Sequence, residues 1–167
     1  IVYPSMNQTT TFVSPRKIVF GVGSRGNLRE EIRDLGGSRP LIVTYPKTAT
    51  AASIAEVLGS LESDGMEIHV YEKAEPEPRI EVAEDLAQYT RAGKFDSVVG
   101  IGGGSAMDLA KIASMSVTSP GQVRDFLGVN LVRAKGAPLI CMPTTSGTGS
   151  EVTMFSVLTV GDKKMDV

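Results

Sequence analysis

The chain has 167 residues, room for about one domain with a single buried core. Its net charge of -2 and the lack of any local run of Lys or Arg exclude a face for phosphate backbones. One cysteine rules out an internal disulfide, the opening IVYPSMNQTT lacks the basic-then-apolar order of a signal peptide, and no apolar run nears the ~20 residues of a bilayer span, so a soluble protein of a reducing cytoplasm is expected, without nucleic acid or membrane partners.

Short apolar β-branched runs alternate with longer segments of helical period. In chain order, KIVFG (17–21) is the first predicted strand, followed by GVGSRG (21–26) and a predicted helix over about 25–36. PLIVTY (40–45) predicts a second strand. A helix over about 48–62 follows, with Ile54, Val57, Leu58 and Leu61 spaced to form one apolar face. EIHVYE (67–72) predicts a third strand, and a helix over about 79–92 comes after it. DSVVGIGG (96–103) leads into a helix over about 105–117, and APLICMP (137–143) is the fifth strand. Runs such as LIV, SVVGI and PLICM are continuous rather than alternating, as parallel strands covered on both faces require. The expected architecture is therefore a doubly wound, mostly parallel Rossmann-like α/β sheet, whose ligand site lies in the loops after the strand ends.

GVGSRG fits G-x-G-x-x-G, yet the fingerprint also wants an acidic residue at the end of the next strand to hold ribose hydroxyls. Tyr45 stands there instead. GVGSRG therefore reads as a structural turn. The loop GIGGGSAMDLAK (100–111) is richer: Gly102, Gly103 and Gly104 let a pyrophosphate approach the backbone, and a helix N-terminus stands behind them. Ser105 reads as an N-cap or as a hydroxyl donor to phosphate. Asp108 suits the helix dipole or accepts from a cofactor amide or ribose, and Lys111 reads as a solvated charge without a role. PTTSGTGSE (143–151) gathers Thr144, Thr145, Ser146, Thr148 and Ser150 on a glycine-loosened turn, suited to a ribose and adenine edge.

GIGGGSAMDLAK and APLICMPTTSGTGSEVT together resemble the iron-containing (group III) alcohol dehydrogenase family, which pairs G-G-G-S-x-x-D-x-x-K with P-T-T-x-G-T-G-S-E. PRKIVFGVGS (15–24), EPEP (75–78) and DFLGVNLV (125–132) are similar to its amino-terminal half. The resemblance implies a dehydroquinate synthase-like amino-terminal domain over residues 1–167, with a helical metal-binding domain expected after residue 167. It implies that Gly103, Gly104 and Ser105 meet the pyrophosphate, Asp108 the nicotinamide side, and Thr144, Thr145 and Thr148 the adenosine and ribose. By the same resemblance Val157 lines the nicotinamide pocket or packs in the core, Glu77 lies near the ribose, and Lys164, or less favourably Lys163, binds the cofactor. With Tyr45 where NAD-preferring relatives often carry Asp, and Lys47 beside it, both NAD and NADP remain open.

The resemblance also implies iron or zinc in the full-length protein only. The sole histidine, His69, reads as a sheet residue, and Cys141 as a small hydrophobe. Two functions follow from these readings. One is the cofactor-binding half of a metal-dependent dehydrogenase of short-chain primary alcohols, diols and their aldehydes, itself inactive as 167 residues. The other is a freestanding nucleotide-binding or regulatory module. The ending LTVGDKKMDV resembles a hairpin leading onward, which favours the first, and association with like chains is left open.

Overall fold

A computed structural model describes residues 14–167. The opening IVYPSMNQTT, read above as unlike a signal peptide, lies outside the described residues. A 3₁₀ turn at Ser24–Asn27 leads into α1 (Leu28–Asp34); then come β1 (Pro40–Thr44), α2 (Ala52–Ser63), β2 (His69–Tyr71), α3 (Ile80–Gly93), β3 (Ser97–Gly102), α4 (Gly104–Thr118) and β4 (Leu139–Pro143), and finally the strands β5 (Val157–Val160) and β6 (Lys163–Asp166). β1 to β4 form a parallel sheet in the order β2-β1-β3-β4, and β5 and β6 pair as a separate antiparallel hairpin.

The continuous apolar runs have the cause inferred from the sequence. In β1, Leu41 and Val43 point to the layer of α3 and α4, where they meet Leu86, Ala87, Leu109 and Ala110. Ile42 points to the opposite layer with Val99 and Ile101, against Ile32, Ile54, Leu58 and Leu61 of α1 and α2. Every residue of β1 and β3 is buried. Each large aliphatic side chain so enclosed contributes about 1.5 to 3 kcal/mol by leaving water. The edge strand β4 is only half-buried along Leu139 to Met142. No helix of the described residues is long and apolar enough to cross a membrane.

Gly100 sets the spacing between sheet and α4: a Cβ there would lie 2.7 Å from Ala110 Cβ and 3.2 Å from Met107 Cα. Without a side chain at that position, α4 can lie close on β3 and begin directly at the strand's end.

One predicted strand is absent. Residues 17–21 join no ladder with any described residue, and Ile18 and Phe20 are 68% and 98% exposed. A β-branched run has strand propensity, but an extended segment keeps strand form only where neighbours satisfy its backbone and cover a face.

At the opposite, amino-terminal edge of the sheet, Asp96 ties the start of β1 to the start of β3. Its carboxylate accepts from the Ser38 and Arg39 amides (2.7 and 2.9 Å) and from the Ser38 and Ser97 hydroxyls, both at 2.8 Å. Partial burial pushes this carboxyl up, but the Ser38 and Ser97 bonds and the Arg39 amide more than offset it, leaving the group below its ordinary value of 3.8. Its stabilising effect is thus present above the unfolded pKa and lost as pH falls through the lower folded one. Asp96→Asn is expected to destabilise by about 2 kcal/mol at pH 7, and by progressively less below about pH 4, in urea unfolding at a series of pH values. A constant difference from pH 7 to pH 2 would contradict the assignment.

Candidate functional site

The strand order reverses between β1 and β3: the chain leaves β1 outward to β2, then returns across it to β3. At such a switch point the loops after the two strands diverge and leave a crevice at their carboxyl ends. Here those loops begin with Tyr45 and with Gly102. Thr44 Oγ1 donates to Ile101 O at 2.8 Å, joining the two ends.

Each glycine of the turn fits against a neighbouring side chain. Gly102 has φ +151°, and a Cβ on it would lie 2.8 Å from Ala106 Cβ and 2.9 Å from the Tyr45 ring. A Cβ on Gly103 would sit 3.3 Å from Thr145 Oγ1, and one on Gly104 3.0 Å from Thr148 Cγ2. The Thr144 amide donates to Gly102 O at 2.9 Å. Tyr45, Thr144, Thr145 and Thr148 are thus gathered around the three glycines, as the order of the sheet requires. α4 starts at Gly104, and no side chain caps its first turn. Its leading amides are left for another acceptor, with the positive end of the helix dipole behind them.

Ser105 is therefore not the N-cap. Gly103 holds that position, and Ser105 Oγ instead accepts from the Glu77 amide at 3.3 Å. A serine one residue inside the helix no longer has the geometry to reach the first-turn amides, so its hydroxyl turns to the neighbouring loop. Glu77 has φ +52°, and its carboxylate accepts from Lys164 Nζ at 2.7 Å; that ammonium holds the Glu77 carboxyl below the usual carboxylate range. Thr159 Oγ1 donates to Glu77 O at 3.2 Å and the Thr159 amide to Pro78 O at 2.9 Å, which fixes the β5–β6 hairpin beside the 75–78 loop.

Between hairpin, loop and α4 lies a cleft of about 470 Å³, lined among others by Glu77, Ser105, Asp108, Thr148, Val157 and Lys164. All six stand among the residues selected from the sequence. Lys163, the alternative to Lys164, is not in the lining. A groove of about 550 Å³ runs along the outside of α3, but its Glu84 carboxylate is occupied by the Val123 and Arg124 amides, and no strand end reaches it.

Asp108 is 9% exposed. Its Oδ1 accepts from Ser150 Oγ at 2.6 Å and Lys111 Nζ at 3.3 Å, its Oδ2 from the Val157 amide at 3.2 Å, and its backbone carbonyl from Ser156 Oγ at 2.9 Å. The reading of Lys111 as a solvated charge is overturned. Its side chain is only 10% exposed, and Nζ donates to Ser150 Oγ, Thr153 Oγ1 and Phe155 O at 2.8, 3.1 and 2.6 Å. Lys111 is the residue that sequence reasoning missed. The signal was present: the lysine stands three residues after Asp108, between the apolar residues Ala110 and Ile112 of a helix that is buried nearly all round, where a charge needs buried partners.

The 21–26 turn is elsewhere. Gly21 and Gly23 have φ +151° and +79°, nothing comes within 4 Å of a Cβ on either, and no strand precedes them among the described residues. His69 lies in β2 with its ring 5.2 Å from that of Phe95 and Nε2 against Glu67. Burial pushes the Cys141 thiol up to about 11. Among the described residues no three His, Cys, Asp or Glu side chains are grouped as a metal site would need.

A sequence profile described as iron-containing alcohol dehydrogenase matches residues 15–167. Long-chain-alcohol dehydrogenase 1 of Geobacillus thermodenitrificans (strain NG80-2) is 40% identical over 161 residues, covering 91% of this chain and 41% of that protein. The crystal structure of a 1,3-propanediol oxidoreductase superposes with a TM-score of 0.88 at 27% identity, over 95% of this chain and 42% of that one. A sulfoacetaldehyde reductase from Bifidobacterium kashiwanohense, solved in complex with NAD+, gives 0.83 at 32% identity, over 96% and 43%. This chain thus spans about two fifths of the length of the relatives it matches.

Proposed function

Because the chain belongs to the iron-containing alcohol dehydrogenase family, we propose that it forms the dinucleotide-binding part of an NAD(P)-dependent dehydrogenase acting on short-chain primary alcohols or diols and their aldehydes. The observation that carries this reading is the convergence, at the switch point of the sheet, of the three-glycine turn, the uncapped start of α4 and the hydroxyls of the 144–148 turn.

The residues present fit a dinucleotide. The amides of Gly104 and Ser105 would donate to the pyrophosphate at the positive end of α4. Ser105 Oγ already accepts from the Glu77 amide, so its proton is available to the same phosphate. Thr144, Thr145 and Thr148 would bond the ribose and adenine edge, Val157 would give the nicotinamide an apolar wall, and Asp108 Oδ2 retains acceptor capacity beside it. When bound, the nicotinamide exchanges a hydride with the alcohol carbon. Lys164 reaches the cleft paired to Glu77, which keeps its ammonium beside the ribose side.

The end of β1 carries Tyr45 rather than a carboxylate, and Lys47 is exposed nearby, so a 2′-phosphate meets no repulsion there. This supports acceptance of either cofactor. The described residues do not fit a metal ion, and no step is derived through one; the Fe(II) or Zn(II) of a working enzyme would be held by a helical domain outside these residues.

Titration of the protein with NADH and with NADPH, followed through nicotinamide emission, tests the reading. Saturable binding of at least one is expected, and no saturable change with either would overturn it. The 167-residue chain itself should show no turnover of 1,3-propanediol, butanol or glycerol with NAD or NADP, with or without added Fe(II) or Zn(II). Metal-dependent turnover by a chain of confirmed 17.7 kDa mass would contradict the division between cofactor-binding and metal-binding parts.

A further inference from the structure

The segment from Ser150 to Phe155 forms the cleft wall between the hydroxyl turn and β5, yet little apolar packing holds it. Val152, Met154 and Phe155 are 42%, 58% and 41% exposed, so its larger apolar side chains are turned outward. Its attachment is polar and comes from α4. The ammonium of Lys111 has three protons and four acceptors in reach. The three in the segment, Phe155 O, Ser150 Oγ and Thr153 Oγ1, lie at 2.6, 2.8 and 3.1 Å, all nearer than Asp108 Oδ1 at 3.3 Å. The lysine is thus bound first to the wall and second to the carboxylate. Ser150 passes the connection on, donating to Asp108 through its hydroxyl and, through its amide, to Thr148 Oγ1 at 3.2 Å.

We propose that Lys111 is a positioning residue for the nicotinamide end of the cleft: without touching the ligand, its ammonium fixes residues 150–155 and thereby the wall that ends at Val157. The inference rests on the cofactor reading above. The adenine and pyrophosphate contacts fall to Gly102–Ser105, Thr144, Thr145 and Thr148; of these only Thr148 is linked to Lys111, and only at one remove, through the Ser150 amide. Losing the ammonium should therefore loosen one end of the site and leave the other intact.

The test compares NADH with ADP-ribose, which shares all of NADH except the nicotinamide, on the protein and its Lys111→Met and Thr153→Val variants. Lys111→Met is expected to raise the NADH Kd about tenfold or more, to leave the ADP-ribose Kd within about twofold, and to return the emission of bound NADH toward that of the free cofactor. Thr153→Val keeps the side-chain shape and removes one acceptor, so a shift of about threefold in the same ratio is expected, and it carries the test if Lys111→Met does not fold. Equal weakening of both ligands would show that the lysine holds the whole cleft, and no weakening of NADH would show that it holds nothing relevant; either overturns the proposal. If the unaltered protein binds neither ligand, the cofactor reading itself falls, an outcome distinct from normal binding that the variants leave unchanged.

Discussion

Gly103→Val is expected to remove dinucleotide binding, raising Kd at least about 100-fold, while the melting temperature falls by only a few degrees. The backbone at Gly103 has φ -81° and ψ -172°, an extended conformation that any residue adopts. A Cβ there would meet Thr145 Oγ1 at 3.3 Å and Tyr45 Oη at 3.6 Å, a tight but adjustable fit. The two methyls beyond it would crowd the uncapped start of α4, where the amides of Gly104 and Ser105 begin the helix. Phosphate oxygens must come within about 3 Å of those amides to bond them, so the approach is blocked while the fold remains. Gly23→Ala is the opposite case: φ +79° strains any side chain by about 1 kcal/mol, but nothing lies near it, and binding should be unchanged. Fluorescence titration and thermal melts of both variants check the pair. Loss of binding with Gly23→Ala and not with Gly103→Val would move the phosphate site to the other glycine turn.

Asp108→Ala should destabilise the protein by about 3 to 5 kcal/mol, because it leaves the Lys111 ammonium and the Ser150 hydroxyl buried without their anion and frees the Val157 amide. In a chain of this length that is a fall in melting temperature on the order of 10 °C. Asp108→Asn should recover part of the loss: one oxygen still accepts from Ser150, but the amide nitrogen then opposes the Val157 N–H. Urea unfolding of the two variants measures the difference. An Asp108→Ala protein of unchanged stability that fails to bind cofactor would make Asp108 a ligand contact alone.

Much of this was legible in the sequence, for a physical reason. β1 and β3 are covered on both faces, so burial forces every residue to be apolar, small or a threonine bonded to backbone, and the pattern is visible without the fold. The helix faces follow from the same rule; Ile54, Val57, Leu58 and Leu61 of α2 are all buried as their spacing implies. The glycine turn was legible because close approach excludes side chains whatever the neighbour. Residues 17–21 misled because strand propensity is local whereas pairing is not. Ser105 and Lys111 were misread for a related reason: their partners, Glu77 and residues 150–155, are 28 residues or more away in the chain, and no periodicity encodes a contact at that distance.

The position of β1 and β3 in the middle of the sheet also has a consequence in time. Their amides are laddered on both sides, so they should be the last to exchange with deuterated solvent, near the global unfolding limit. Across the cleft from α4, which is seated on β3, stands a two-stranded hairpin, joined to the rest by Thr159, the Val157 amide, the Lys164–Glu77 pair, the carbonyl of Asp166 and the buried Leu158. Its amides should exchange earlier, through openings that leave the sheet intact. The cleft therefore lies between a helix seated on the most durable strands and a hairpin that yields first, and a dinucleotide would enter and leave on the hairpin's clock while the glycine turn at the end of β3 kept its shape.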